Sequence, residues 1–225
     1  MKNKLTLILV MIAVVVFPIT VCANKPVVEK QYTDDTVIET TYKHNKVISD
    51  KEYTVDGKVV YEAEYGKDES VSKQTFYSDD GQQETVVYNR DKVGYVTSEI
   101  HYDSNGTETF RIDTEYNTNY TVNKYITYEN SEIISEIYID YNSEWLPTLA
   151  SEYDKDNNLV RYTVYEYTET DSFLSETAYK SDGTIEYKYE FNEETMITVY
   201  SEYDNNGVLE SVTYLDEYGE EIAVG

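Results

Sequence analysis

A turn signal recurs along this chain every 10 to 15 residues, from His44-Asn45 to Tyr218-Gly219, mostly at intervals of 12 or 13. Asp-Gly and Asn-Gly pairs favour two-residue hairpin turns in which both central residues take positive φ. They fall at about every second signal, at Gly57, Gly81, Gly106, Gly183 and Gly207. Within each group these glycines are 24 or 25 residues apart, and the gap between the groups is about three such periods. A fixed period of this size marks a tandem array whose unit is a hairpin of about 25 residues.

Between the turns the residues alternate. In "GTIEYKYEFN" (183–192), Ile185, Tyr187, Tyr189 and Phe191 face one way and Glu186, Lys188 and Glu190 the other. In "GTETFRIDTEYN" (106–117), Phe110, Ile112, Thr114 and Tyr116 oppose Arg111, Asp113 and Glu115. Period-two alternation of this length predicts strands with one wet face. The expected fold is all-β, an antiparallel meander of tandem hairpins in an open or curled sheet, with 14 to 16 strands in sequential order. Composition agrees, because 26 tyrosines stand beside one Trp and five Phe. Tyrosine suits a pleated, half-buried surface and stacks across strands while its hydroxyl stays in water. Aliphatic residues after the N-terminal segment are too few for a deep sandwich, so tyrosine is expected to carry much of the buried area.

The chain opens "MKNKLTLILVMIAVVVFPITVCANK". Lys2 and Lys4 precede an apolar run, Leu5 to Phe17, and Val21 and Ala23 supply the small residues of a cleavage site. This pattern is a secretory signal peptide cut between Ala23 and Asn24. The run is shorter than the roughly 20 residues of a spanning helix, and no membrane span is expected in the mature chain. Lipidation of Cys22 is the weaker reading, since Val21 fits poorly before a lipidated cysteine. Cleavage after Ala23 removes the one cysteine, which excludes disulfides and Cys-ligated metal from the mature protein. The expected organisation is a leader at 1–23, an N-terminal extension at 24–36 and a tyrosine-rich repeat domain at 37–225. The net charge is −26, and more negative once Lys2 and Lys4 are removed. A field of that sign repels nucleic acid and keeps a sheet-rich protein soluble.

The phrases "HYDSNG" (101–106), "EYDKDN" (152–157) and "EYDNNGVLESVTY" (202–214) resemble the YD repeats of RHS-family bacterial surface and toxin proteins. They are also similar to the hairpins of MORN-like repeats. The Tyr-Asp dipeptides are Tyr102-Asp103, Tyr153-Asp154 and Tyr203-Asp204. Other hairpins, such as "FYSDDGQQ" (76–83) and "AYKSDGTI" (178–185), depart from the motif. The resemblance implies a β-repeat surface protein and nothing about toxicity.

Catalysis is not expected. His44 and His101 lie at or near turns, with no serine elbow and no histidine metal spacing. Paired carboxylates for a hydrolase are plentiful, but a meander offers no evident cleft. Asp154, Asp156 and Asn158 match the first positions of a calcium loop, yet Leu159 and Tyr165 stand where it needs Gly and Glu. Asp and Asn are also the residues that hairpin turns require. No metal and no cofactor are therefore expected. Trp145, beside Leu146-Pro147, and the tyrosine rows suit stacking on a sugar or peptide. The sequence thus reads as a secreted or cell-surface binding module for a protein or glycan. Carbohydrate or cell-wall binding through a tyrosine-rich face is the runner-up, and a hydrolase the least favoured reading.

Overall fold

A computed structural model of the chain describes residues 25–33 and 35–222. The segment read as a leader, 1–23 with Cys22, and the expected cleavage pair Ala23 and Asn24 lie outside the described residues. Sixteen strands follow one another: β1 Val27–Tyr32, β2 Thr36–Lys43, β3 Lys46–Thr54, β4 Val59–Tyr65, β5 Val71–Tyr77, β6 Gln83–Arg90, β7 Val96–Tyr102, β8 Glu108–Tyr116, β9 Val122–Glu129, β10 Glu132–Tyr141, β11 Pro147–Asp154, β12 Leu159–Tyr167, β13 Phe173–Lys180, β14 Ile185–Asn192, β15 Ile197–Tyr203 and β16 Leu209–Leu215. They form a single antiparallel sheet in chain order, not closed into a barrel. Among the described residues the backbone of each strand lies beside its sequence neighbours alone, with side chains such as Arg161 and Glu186 reaching across one strand, and no second layer packs on the sheet. β1 falls within the span read as an N-terminal extension, 24–36, and pairs with β2 along its length. No described helix is long and apolar enough to cross a membrane.

The expectation of one wet face fails, because both faces carry charge. Asp50, Ala63, Gln74, Val86, His101 and Phe110 are successive partners across six strands of one face. On the other face the row runs Lys30, Glu39, Lys51, Glu62, Thr75, Thr85. Lys30 pairs with Glu39 at 2.8 Å, and Lys51 pairs with Glu62. With no second layer, neither face can be dry. Among the described residues the buried hydrophobics are Ala63, Val86 and Ala178, joined by small polar residues such as Thr163, Ser175 and Ser201. Most of the strand tyrosines are half-buried.

The loops after odd-numbered strands form one rim of the sheet, and those after even-numbered strands form the other. Most loops share one geometry. In "DSNGT", Gly106 N–H donates to Asp103 O, and Asp103 N–H donates to Thr107 O, each at 3.0 Å. This is a type I turn closed by a left-handed residue that forms a bulge. The glycine turns are therefore one residue longer than the expected two-residue form, with one positive φ instead of two. Two-residue turns do occur, at His44-Asn45 (φ 55° and 62°) and Asn130-Ser131 (φ 49° and 68°).

Candidate functional site

The Tyr-Asp dipeptide has a mechanical explanation. Its tyrosine is the last residue of a strand (Tyr102, Tyr203) or the last but one (Tyr153), where the ladder slips: Tyr102 faces Glu108, Tyr153 faces Leu159 and Tyr203 faces Leu209. Its aspartate opens the turn. Asp103 Oδ1 accepts the N–H groups of Asn105 and Thr107, each at 2.9 Å. Asp204 Oδ1 does the same for Asn206 and Val208 at 2.7 and 2.8 Å. These donors hold both carboxyls below the usual aspartate range, led by the N–H of Thr107 and of Val208 respectively. Asp154 Oδ1 is likewise turned to the N–H groups of Asp156 and Asn158, at 2.9 Å each. The residues that suggested a calcium loop therefore form a turn that is closed by its own backbone donors.

Gly57, Gly81, Gly106, Gly183 and Gly207 take φ of 87°, 82°, 76°, 86° and 77°. All five lie in loops of the odd rim. They set the hairpins and do not converge on any ligand-sized space.

The concave feature lies between the rims, on one face over β9–β14. Ile139, Ala150, Thr163 and Ala178 are register partners, a row of small or aliphatic residues across four strands. Ala178 is fully buried and Thr163 nearly so. Larger residues rise on either side. One wall is the row Tyr125, Ile137, Glu152 and Arg161, and the other holds Tyr165 and Glu176. Tyr187, the partner of Ala178 on β14, closes one end. The result is a furrow of about 220 Å³ with an apolar floor and a tyrosine on each wall and at one end. A shallower depression of about 520 Å³ continues it to the odd rim, past Val160, Lys180 and Asp182.

Arg161 stands at the junction. Its guanidinium binds Glu152 at 2.8 Å and lies 3.8 Å from Glu186. Tyr187 donates to Glu176 at 2.8 Å. Burial, then that hydrogen bond, raises the Tyr187 hydroxyl above the usual tyrosine range. Burial, with the charge of Glu176, also raises Tyr165. Both phenols are therefore neutral donors near neutral pH. The furrow offers apolar area, phenol hydroxyls and one cation fixed by two carboxylates. That set suits holding an extended ligand by contact and hydrogen bonds. No group of three or more metal-ligating side chains occurs among the described residues.

Sequence reasoning missed this site. Its signal was the run of small residues, Ala150, Thr163 and Ala178, in strands whose other inward positions are large, but their alignment depends on register. His101, read as lying by a turn, points instead into one face near the end of β7. It bridges Glu84 at 2.7 Å and Glu99 at 2.8 Å, and packs edge-on against Phe110.

No protein family model matches the sequence, and no curated protein matches it. Among solved structures, a porin-like protein from Bacteroides uniformis aligns at 12% identity and a TM-score of 0.42, covering 84% of this chain and 95% of that one. The complex TcdB2-TccC3 aligns at 11% identity and a TM-score of 0.28, over 89% of this chain and 15% of that one. Likenesses this distant carry no argument about function.

Proposed function

We propose that the chain is a non-catalytic binding module, secreted or held at the cell surface. Its ligand, an extended protein segment or glycan, would lie in the furrow over β10–β13. The observation that carries this reading is the small-residue row between tall walls, which gives the single sheet a concave, partly apolar surface. The tyrosines at Tyr125, Tyr165 and Tyr187 favour carbohydrate as a second reading, through stacking and phenol hydrogen bonds. A hydrolase is the weakest reading, because Glu152 and Glu186 both turn to Arg161 and Glu176 accepts from Tyr187. Kinship to YD-repeat proteins is supported by the three dipeptides and their shared role at bulge and turn. Export is supported by the N-terminal pattern at 1–23.

The test is backbone-amide NMR titration with glycan oligomers and with peptides. Binding should move the resonances of Thr163, Ala178 and Tyr187. Ala150→Leu, which fills the furrow, should weaken binding at least tenfold while the spectrum stays folded. Movement confined to other strands would overturn the assignment. Turnover of a glycan that Glu152→Gln abolishes would restore the hydrolase reading. N-terminal sequencing of the exported product should begin at Asn24, and an intact Met1 or a lipid on Cys22 would contradict it.

A further inference from the structure

The two rims of the sheet differ. Every aromatic residue in a loop from 43 to 220 lies on the even rim: Tyr95, Tyr120, Trp145 and Tyr218. Three of these sit in consecutive loops of that rim, 91–95, 117–121 and 142–146. Tyr95 and Tyr120 stack at 4.7 Å between centroids and 8° between planes, and Trp145 lies 6.4 Å from Tyr141. The three residues remain exposed, at 39% for Tyr95, 43% for Tyr120 and 50% for Trp145, although Tyr95 and Tyr120 cover one face of each other.

Tyr120 and Trp145 also occupy a position that glycine takes in most other loops of this geometry. Their φ values are 66° and 63°, against 106° for Gly94 and 78° for Gly219 on the same rim, where Glu69 and Asp171 also take the position at 64° and 63°. A bulky side chain there is a backbone outlier, and such strain persists where the surroundings enforce it and clusters at ligand sites. The support beneath is visible. Tyr116 Oη donates to Val96 O at 2.8 Å and Tyr141 Oη to Val122 O at 2.6 Å, each tying a strand to the preceding one. The rings therefore stand on a fixed base.

The surrounding chemistry narrows the ligand. The fifteen residues of these loops hold three charged side chains, Asp91, Lys92 and Glu144, in a chain of net charge −26. Asp91 Oδ1 is occupied by the N–H groups of Val93, Gly94 and Tyr95. The loop 117–121 has no charge at all and offers amides and hydroxyls beside its ring. Successive loops on one rim are two strand spacings apart, about 9.5 Å, close to the length of a disaccharide unit.

We propose that this rim is a binding platform for a linear, neutral glycan whose sugar faces stack on Tyr120 and Trp145. The inference rests on the reading of the chain as a binding module but uses a different site from the furrow. Trp145 is the only tryptophan, so its emission reports on the platform directly. The experiment titrates the full chain with chitohexaose, cellohexaose, hexagalacturonate and a proline-rich decapeptide. A neutral hexasaccharide should shift Trp145 emission to the blue in a saturable way, and the anionic oligomer should not. Tyr120→Gly should weaken that binding at least tenfold while leaving the melting temperature unchanged or higher, because it relieves the outlier. Ala150→Leu, whatever it does to binding in the furrow, should leave this Trp145 response unchanged. Three results would overturn the proposal. One is no response to either neutral oligomer. The second is a response to the decapeptide in place of sugar. The third is sugar binding that Ala150→Leu abolishes and Tyr120→Gly spares, which would leave the furrow reading standing and remove this one.

Discussion

At the scale of single residues, the turns decide what can be changed. Gly207 takes φ 77°, and a side chain there would also meet Thr184 Cγ2 at 3.3 Å and Ile185 Cγ2 at 3.7 Å. Gly57, at φ 87°, faces open space. Gly207→Val is expected to destabilise by about 1–3 kcal/mol, the scale of a non-glycine residue forced into a sparse backbone region. Gly57→Val should cost less, and urea midpoints compare the two. Equal tolerance at both sites would mean that contact with the preceding loop is not felt. His101 gives a pH signature. Burial alone would lower its pKa, but hydrogen bonds to Glu84 and Glu99 and their charges raise it above the ordinary value of 6.5. A raised folded pKa means that this stabilisation is fully present below pH 6.5 and is lost as pH rises through the folded value. His101→Gln should therefore lower the urea midpoint most at pH 5 to 6, with the gap closing in alkali. A gap that is constant with pH would show that His101 contributes packing only.

At the scale of the element, two strands are tied to the preceding one through their last residue, Tyr116 to Val96 O and Tyr141 to Val122 O. Tyr141→Phe removes the donor to Val122 O and should cost about 0.5–1.5 kcal/mol, the net worth of an ordinary hydrogen bond. Tyr218→Phe, on a ring 82% exposed, should cost nearly nothing. Thermal melts of the two variants check this, and equal losses would mean that the tie is not made in solution. Turn positions and strand order were legible in the sequence, since Asp, Asn and Gly mark sites where the backbone itself makes the demand. The turn length was not, because "DG" and "NG" serve both the two-residue turn and the bulged three-residue loop, and only the slip at Tyr102 or Tyr203 separates them. The furrow was illegible for a related reason. Ala150, Thr163 and Ala178 become neighbours only once every bulge between them is counted into the register. Aromatic residues at Tyr120 and Trp145 were visible, but their place on one rim follows from the parity of strands, which turn chemistry alone does not give.

At the scale of the whole molecule, the chain is an open sheet of sixteen strands, roughly 70 Å across at the usual strand spacing. It has a thin line of small buried residues in place of a core. Such a sheet has two ends. On β16 the free side is partly covered by the chain's own turn, through a bridge between Leu215 and Glu221. β1 is exposed throughout, with Lys30 at its centre, and the net charge of −26 opposes edge-to-edge pairing. Stability in this arrangement is a sum of hairpins and their interfaces with neighbours, as in other linear repeats. Local damage should therefore stay local. Native-state hydrogen exchange on Gly207→Val, compared with the unaltered protein, tests that most directly. The account predicts that amides of β14–β16 lose protection while those of β7–β10 keep theirs. Uniform loss of protection from β1 to β16 would show one cooperative unit, and would contradict an open sheet built only from contacts between neighbouring strands.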